Sequence, residues 1–140
     1  MAYLGNGGGW GNPAGALIVS ADPLGTVDES LVYTLSMMAN GAALPTVLDL
    51  LADGVALTPS SSVDPVLSDV WQEYSRTYDA TSLAGLDGQS LTIVLGHGRP
   101  AAGSQSRYDD VTLNAVPEPS TLLLAAIGLL SLVWYGWRRR

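Results

Sequence analysis

Hydrophobic and polar positions alternate over residues 31–38 (LVYTLSMM), putting Leu31, Tyr33, Leu35 and Met37 on one side and Val32, Thr34, Ser36 and Met38 on the other. A period of two marks a strand with one buried face. Segments 46–51 and 55–57 flank Asp53-Gly54, and this pair predicts a two-residue hairpin because both turn positions need φ > 0. Further strands are expected over 71–78 (WQEYSRTY), over 91–95 (LTIVL) after a loop reaching Asp87-Gly88, and over 108–115 (YDDVTLNA). In the last, alternation groups Asp109, Val111, Leu113 and Ala115 against Tyr108, Asp110, Thr112 and Asn114. No stretch before the tail sustains a helical period. Short strands punctuated by Gly, Pro and Asp therefore predict an all-β, antiparallel sandwich over residues 1–115.

The pattern changes at residue 116, where the chain reads VPEPSTLLLAAIGLLSLVWYGWRRR. Pro117 and Pro119 cannot continue a helix from the preceding strand, so residues 116–120 read as a linker and the helix is expected from Ser120, a good N-cap. Residues 121–140 read as one transmembrane helix with a basic tail. The uncharged run 122–137 is sixteen residues, about 24 Å of helix against a hydrocarbon core of about 30 Å. Ser120 and Thr121 can extend it at one end and arginines can snorkel at the other. The competing reading is a helix buried against the body, but a surface helix would carry a polar stripe and this run has none. Trp134, Tyr135 and Trp137 beside Arg138, Arg139 and Arg140 form an aromatic belt next to a positive-inside anchor, placing the C-terminus in the cytoplasm and the body across the inner membrane.

The order of Pro117, Glu118, Pro119 and Ser120, the apolar run and the arginines resembles the PEP-CTERM sorting signal of bacterial surface and exopolysaccharide-associated proteins. That resemblance implies recognition by an exosortase, a membrane transpeptidase-like protease acting near the motif, and a tail that serves as a processing signal rather than a permanent anchor. The body segments VYTLSMMANG, VLDLLADGVAL, the Trp71 strand, GQSLTIVLG and SQSRYDDVTLNAVPEPS are similar, in order, to jelly-roll, galactose-binding-like domains of PEP-CTERM proteins, a resemblance that extends from about Ala2 to Ala115. Such domains begin with further strands, whereas AYLGNGGG follows Met1 directly, and no basic n-region with an apolar h-region opens the chain. The expectation is an N-terminally incomplete domain, from a late start site or a truncated gene.

Charge narrows the partners. Up to Ser120 the chain carries thirteen carboxylates and three arginines (Arg76, Arg99, Arg107), a net of −10, which the terminal arginines bring to −7; there is no lysine. Such a body is repelled by phosphate backbones, so nucleic acid is excluded as a partner. The absence of cysteine removes disulfides and thiol chemistry. His97, the single histidine, can build neither the usual zinc site nor, without a G-x-S-x-G elbow, an indicated hydrolase triad. Asp109 and Asp110 point to opposite faces, unlike a glycosidase acid pair. Gly7 to Gly9 lack the GK[ST] ending of a phosphate loop. No enzyme activity is indicated.

What remains is binding. Trp10, Trp71, Tyr74 and Tyr78 are candidates to stack on sugar rings, although Trp71 lies on the face opposite Tyr74 and Tyr78, so one set belongs to the core. Asp109 shares a face with Val111 and Leu113, where an unpaired carboxylate is costly; a structural calcium, as in jelly-roll carbohydrate-binding domains, and pairing with Arg107 or backbone N–H groups are both open. No other cofactor is expected. The sequence thus reads as a non-catalytic, exported envelope protein sorted by an exosortase and associated with polysaccharide. The alternatives are a membrane-anchored β-domain without a sugar ligand, and a non-catalytic fragment of a larger enzyme.

Overall fold

Each predicted strand corresponds to a strand of the computed structural model, which describes residues 16–41, 46–66, 68–97 and 106–138. These residues form β1 (Ala16–Val19), β2 (Gly25–Thr26), β3 (Leu31–Gly41), β4 (Thr46–Ala52), β5 (Val55–Ala56), β6 (Ser61–Val63), β7 (Gln72–Tyr78), β8 (Ser90–His97) and β9 (Ser106–Pro117). One helical turn, α1 (Ala80–Leu83), follows β7, and a 20-residue helix, α2 (Pro119–Arg138), follows β9.

Two antiparallel sheets result. One has the order β1-β8-β4-β5, with β2 also paired to β8; the other has the order β6-β7-β3-β9. The alternation read from β3 sends Tyr33, Leu35, Met37 and Ala39 inward, where they are buried with Leu48, Leu50 and Ala52 of β4, Tyr74 and Tyr78 of β7, and Leu91 and Leu95 of β8. The core thus lies between the sheets. Leu83 of α1 is fully buried at its margin, and Asp79 caps α1 by accepting the Thr81 and Ser82 N–H groups at 3.0 and 3.3 Å. A polar contact crosses the core: the Leu50 N–H of β4 donates to the Tyr78 hydroxyl of β7 at 3.0 Å.

The hairpin at Asp53-Gly54 forms as expected. Leu51 pairs with Ala56 and Ala52 with Val55, and both turn residues have positive φ (46° and 81°), as the tight turn requires. Asp53 also anchors the turn to β8, its Oδ1 accepting the Ser90 N–H at 2.9 Å.

Strand β9 departs from simple alternation. Ser36 pairs with Thr112 but Met38 pairs with Asp109, so Asp110 and Val111 together oppose Met37. This is a β-bulge, and Asp110 takes the left-handed conformation (φ 49°) that it needs. Beyond the bulge the faces exchange. Tyr108 sits opposite the buried Ala39 and packs on the core, as Val111 and Leu113 do, while Asp109 moves to the outer face and is exposed. The expected grouping of Asp109 with Val111 and Leu113 is therefore corrected: one extra residue reverses everything before it.

Elements without a pattern were not anticipated. β2 has two residues, β6 is the polar SSV, and α1 is one turn, each too short to show a period.

Candidate functional site: the carboxy-terminal tail and its junction with the body

The tail begins inside the sheet. β9 runs to Pro117, with Val116 opposite Val32 and Pro117 opposite Leu31, so the first two residues expected in the linker are strand residues. The Glu118 N–H then donates to the Ser30 carbonyl at 3.2 Å. In an antiparallel ladder hydrogen-bonded and non-hydrogen-bonded pairs alternate, so this bond puts Pro117 where an N–H would point away from β3. Proline therefore costs the ladder nothing, as suits an edge strand. The Glu118 side chain turns back onto the body, Oε1 accepting the Ala80 N–H at 3.0 Å.

Both surfaces that receive Glu118 are braced. In the turn before β3, Asp28 Oδ1 accepts the Ser30 N–H at 2.9 Å and the Ser30 hydroxyl at 2.6 Å, and the Leu31 N–H donates to the Asp28 carbonyl at 3.1 Å. Ser30 holds the Asp28 carboxyl below its ordinary pKa, and Thr81 does the same for Asp79. Glu29 ties this turn to the segment after α1, its Oε1 accepting the Leu86 and Asp87 N–H groups at 2.9 and 3.1 Å.

Helix α2 starts at Pro119, one residue before the expected Ser120; proline suits a first helical position, where no N–H is needed. Leu124, Ile127, Leu129, Leu130, Trp134 and Trp137 are all exposed, so none of these apolar side chains is buried against the body. The Arg138 guanidinium lies 5.3 Å from the centre of the Trp134 ring, a cation–π distance. Tyr135 is exposed beside them; Arg139 and Arg140 lie outside the described residues. The expected transmembrane helix is not supported: among the described residues no helix is long and apolar enough to cross a membrane.

Comparison with known families matches residues 115–140 to the PEP-CTERM protein-sorting motif. The tail is a PEP-CTERM sorting motif. It comprises Pro117, Glu118, Pro119 and Ser120, the apolar helix and the basic end, and it implies recognition by an exosortase and a secreted or cell-surface destination. No curated protein and no solved structure matches the chain. The PEP-CTERM motif thus carries the functional assignment, and the body's likeness to galactose-binding domains gains no support from these comparisons.

The sugar-stacking candidates separate. Tyr74 and Tyr78 are 3 % and 0 % exposed; β7 turns both into the core, so neither ring can stack on a ligand, and that expectation is corrected. The Tyr74 hydroxyl donates to the Pro65 carbonyl. Trp71, just ahead of β7, is 42 % exposed beside exposed Val66 and Val70. Their segment is pinned from below: Gln72 Nε2 donates to the Val66 carbonyl at 2.9 Å, Asn40 Nδ2 to the Asp69 carbonyl at 3.1 Å, and Arg76 pairs with Asp64 at 2.6 Å. Trp10 and Gly7 to Gly9 lie outside the described residues.

Asp109 lies on the outer face of β9. Its Oδ1 accepts the Asp110 N–H at 2.9 Å, which is the backbone alternative, and the carboxylate is exposed. Among the described residues no three acidic or histidine side chains come together as metal ligands. The bulge moves Asp109 off the inward face on which the calcium expectation had placed it. Sequence reasoning missed Ser30 and Ala80 as partners of the PEP-CTERM glutamate. Asp28 and Asp79 carry recognisable turn and cap signals, but nothing in sequence links either to residue 118.

Proposed function

We propose that this chain is a non-catalytic, exported cell-envelope protein whose tail is recognised and processed by an exosortase. The match over residues 115–140 carries the reading. As a precursor the protein engages the inner membrane through α2, with Trp134, Trp137 and Arg138 at the cytoplasmic interface. The exposed apolar side chains of that helix and its basic end support this.

The body is read as a jelly-roll-like sandwich associated with neutral extracellular polysaccharide. Trp71 on its pinned segment supports a sugar platform, and a net charge of −10 over residues 1–120 disfavours acidic glycans. The test of sorting is Pro117→Ala with Pro119→Ala in a host carrying an exosortase. Processing and surface delivery are expected to stop, with the precursor retained in the membrane fraction. Unchanged processing would remove the sorting reading. A glycan panel that shows no binding at millimolar ligand, or no loss on Trp71→Ala, would remove the polysaccharide reading alone.

A further inference from the structure

The sorting motif is bonded into the body at two levels. Pro117 lies in the β3–β9 ladder, and Glu118 is held through its backbone by Ser30 and through its carboxylate by Ala80. Ser30 and Ala80 sit in turns fixed by Asp28 and Asp79, and α1 is anchored in the core by Leu83. A protease acting near Glu118 must draw the chain out, because an edge strand bonded to its own sheet cannot present the same backbone groups to an enzyme. Strand ends open locally at far lower cost than the whole domain.

We propose that the folded body gates its own sorting motif: Glu118 and the end of β9 dock on the Ser30 turn and Ala80, and release of this clamp exposes the motif to the exosortase. The gate rests on the exosortase reading given above. Folding of the body and processing of the tail then compete. A chain still unfolded after export offers its motif freely, whereas a folded one offers it only when the end of β9 frays.

The body itself provides a selective lesion. Ala80 is the first residue of α1, where proline is tolerated, and the preceding Asp79 is extended (φ −102°, ψ −175°), as a residue before proline prefers. Ala80→Pro removes the N–H that Glu118 accepts and leaves the motif intact. In the full chain, amide hydrogen exchange at Glu118 and exosortase processing should each accelerate by roughly three- to ten-fold, the range for losing one hydrogen bond at an exposed site. Ala80→Gly, which keeps the N–H, should match the wild type in both.

The opposite lesion is a staple. Val32 and Val116 face each other across β3 and β9 as a hydrogen-bonded pair, whose Cα spacing of about 5.5 Å suits a disulfide. Val32→Cys with Val116→Cys adds the only cysteines of the chain. Oxidised, this variant should be processed at least ten-fold more slowly than when reduced. Equal rates for oxidised, reduced and Ala80→Pro forms would overturn the gate while leaving exosortase sorting intact, and slower processing of Ala80→Pro would show that the clamp presents the motif instead of withholding it. Absence of processing in every form, with Glu118 exchange still faster in Ala80→Pro, would overturn the exosortase reading and the gate with it, leaving only the contact.

Discussion

Replacing Tyr78 by phenylalanine should weaken the body far more than the loss of one oxygen suggests. The ring is fully buried between the sheets, and its hydroxyl accepts the Leu50 N–H at 3.0 Å. Phe fills the same space, so the apolar contribution is retained and the change falls on the hydrogen bond. The Leu50 amide then has no acceptor in a region closed to water, and a buried donor left unsatisfied costs about 1–3 kcal/mol. Taking about 2 kcal/mol, Tm should fall by roughly 8–16 °C for a domain of this size. The urea midpoint should drop by about 1 M with an unchanged m value.

The same site predicts an alkaline signature. Burial pushes the Tyr78 hydroxyl above its ordinary pKa and outweighs the opposing hydrogen bond from the Leu50 N–H, with lesser effects of Asp49, which raises it, and Arg76, which lowers it. The folded state thus holds the proton more tightly than the unfolded chain. Stability from this group is complete below about pH 10, the unfolded value, and is lost as pH rises through the higher folded value. Urea titrations from pH 8 to 11 should show a difference between wild type and Tyr78→Phe that narrows above pH 10. A variant within 0.5 kcal/mol of wild type at pH 8, or a difference that widens with pH, would refute the reasoning.

Gly54→Ala should destabilise the body by about 1–2 kcal/mol in urea denaturation, because φ is +81° with no atom within 4 Å of the added Cβ, so the cost is backbone strain alone. Asp109→Asn should leave Tm within about 2 °C with or without millimolar calcium; a calcium-dependent stabilisation lost in this variant would restore the metal reading. Asp28 and Asp79 have lowered folded pKa values, set chiefly by the Ser30 and Thr81 hydroxyls, so their contribution is complete above about pH 4 and lost as pH falls through the folded values. Asp79→Asn should flatten the acid limb of a pH–stability curve, and an unchanged limb would contradict this.

Strands were legible where pattern and position agreed. The alternation in β3 and the Asp-Gly turn each state a local geometry, and the buried face of β3 is the one the sequence marks. The bulge in β9 was not legible because Asp110 gives no local sign that it will take positive φ; Asp is tolerated there but does not demand it. Its cost to the reading was large, since the calcium hypothesis rested on the face of Asp109. Tyr74 and Tyr78 show a subtler limit. Alternation separated them from Trp71 correctly, yet which set faced inward depended on the second sheet, a fact of tertiary structure.

The tail was the most legible segment and also the one whose setting was least so. Prolines, apolar run and arginines act through composition and order, so they can be read without a fold. The setting of Glu118 depends on residues 38 and 88 positions away, Ala80 and Ser30, brought beside it by the pairing of β3 with β9 and by the cap of α1. A signal that must be read by an enzyme and a strand that must complete a sheet share Pro117, and edge-strand geometry lets one residue serve both. Its missing N–H points away from β3, so the ladder loses nothing while the open edge loses a donor that another strand could pair with. Proline is thus compatible with the fold at the point where the sorting signal begins, and the glutamate after it is the first motif residue beyond the ladder, which is why its hold on the body is the contact most open to competition.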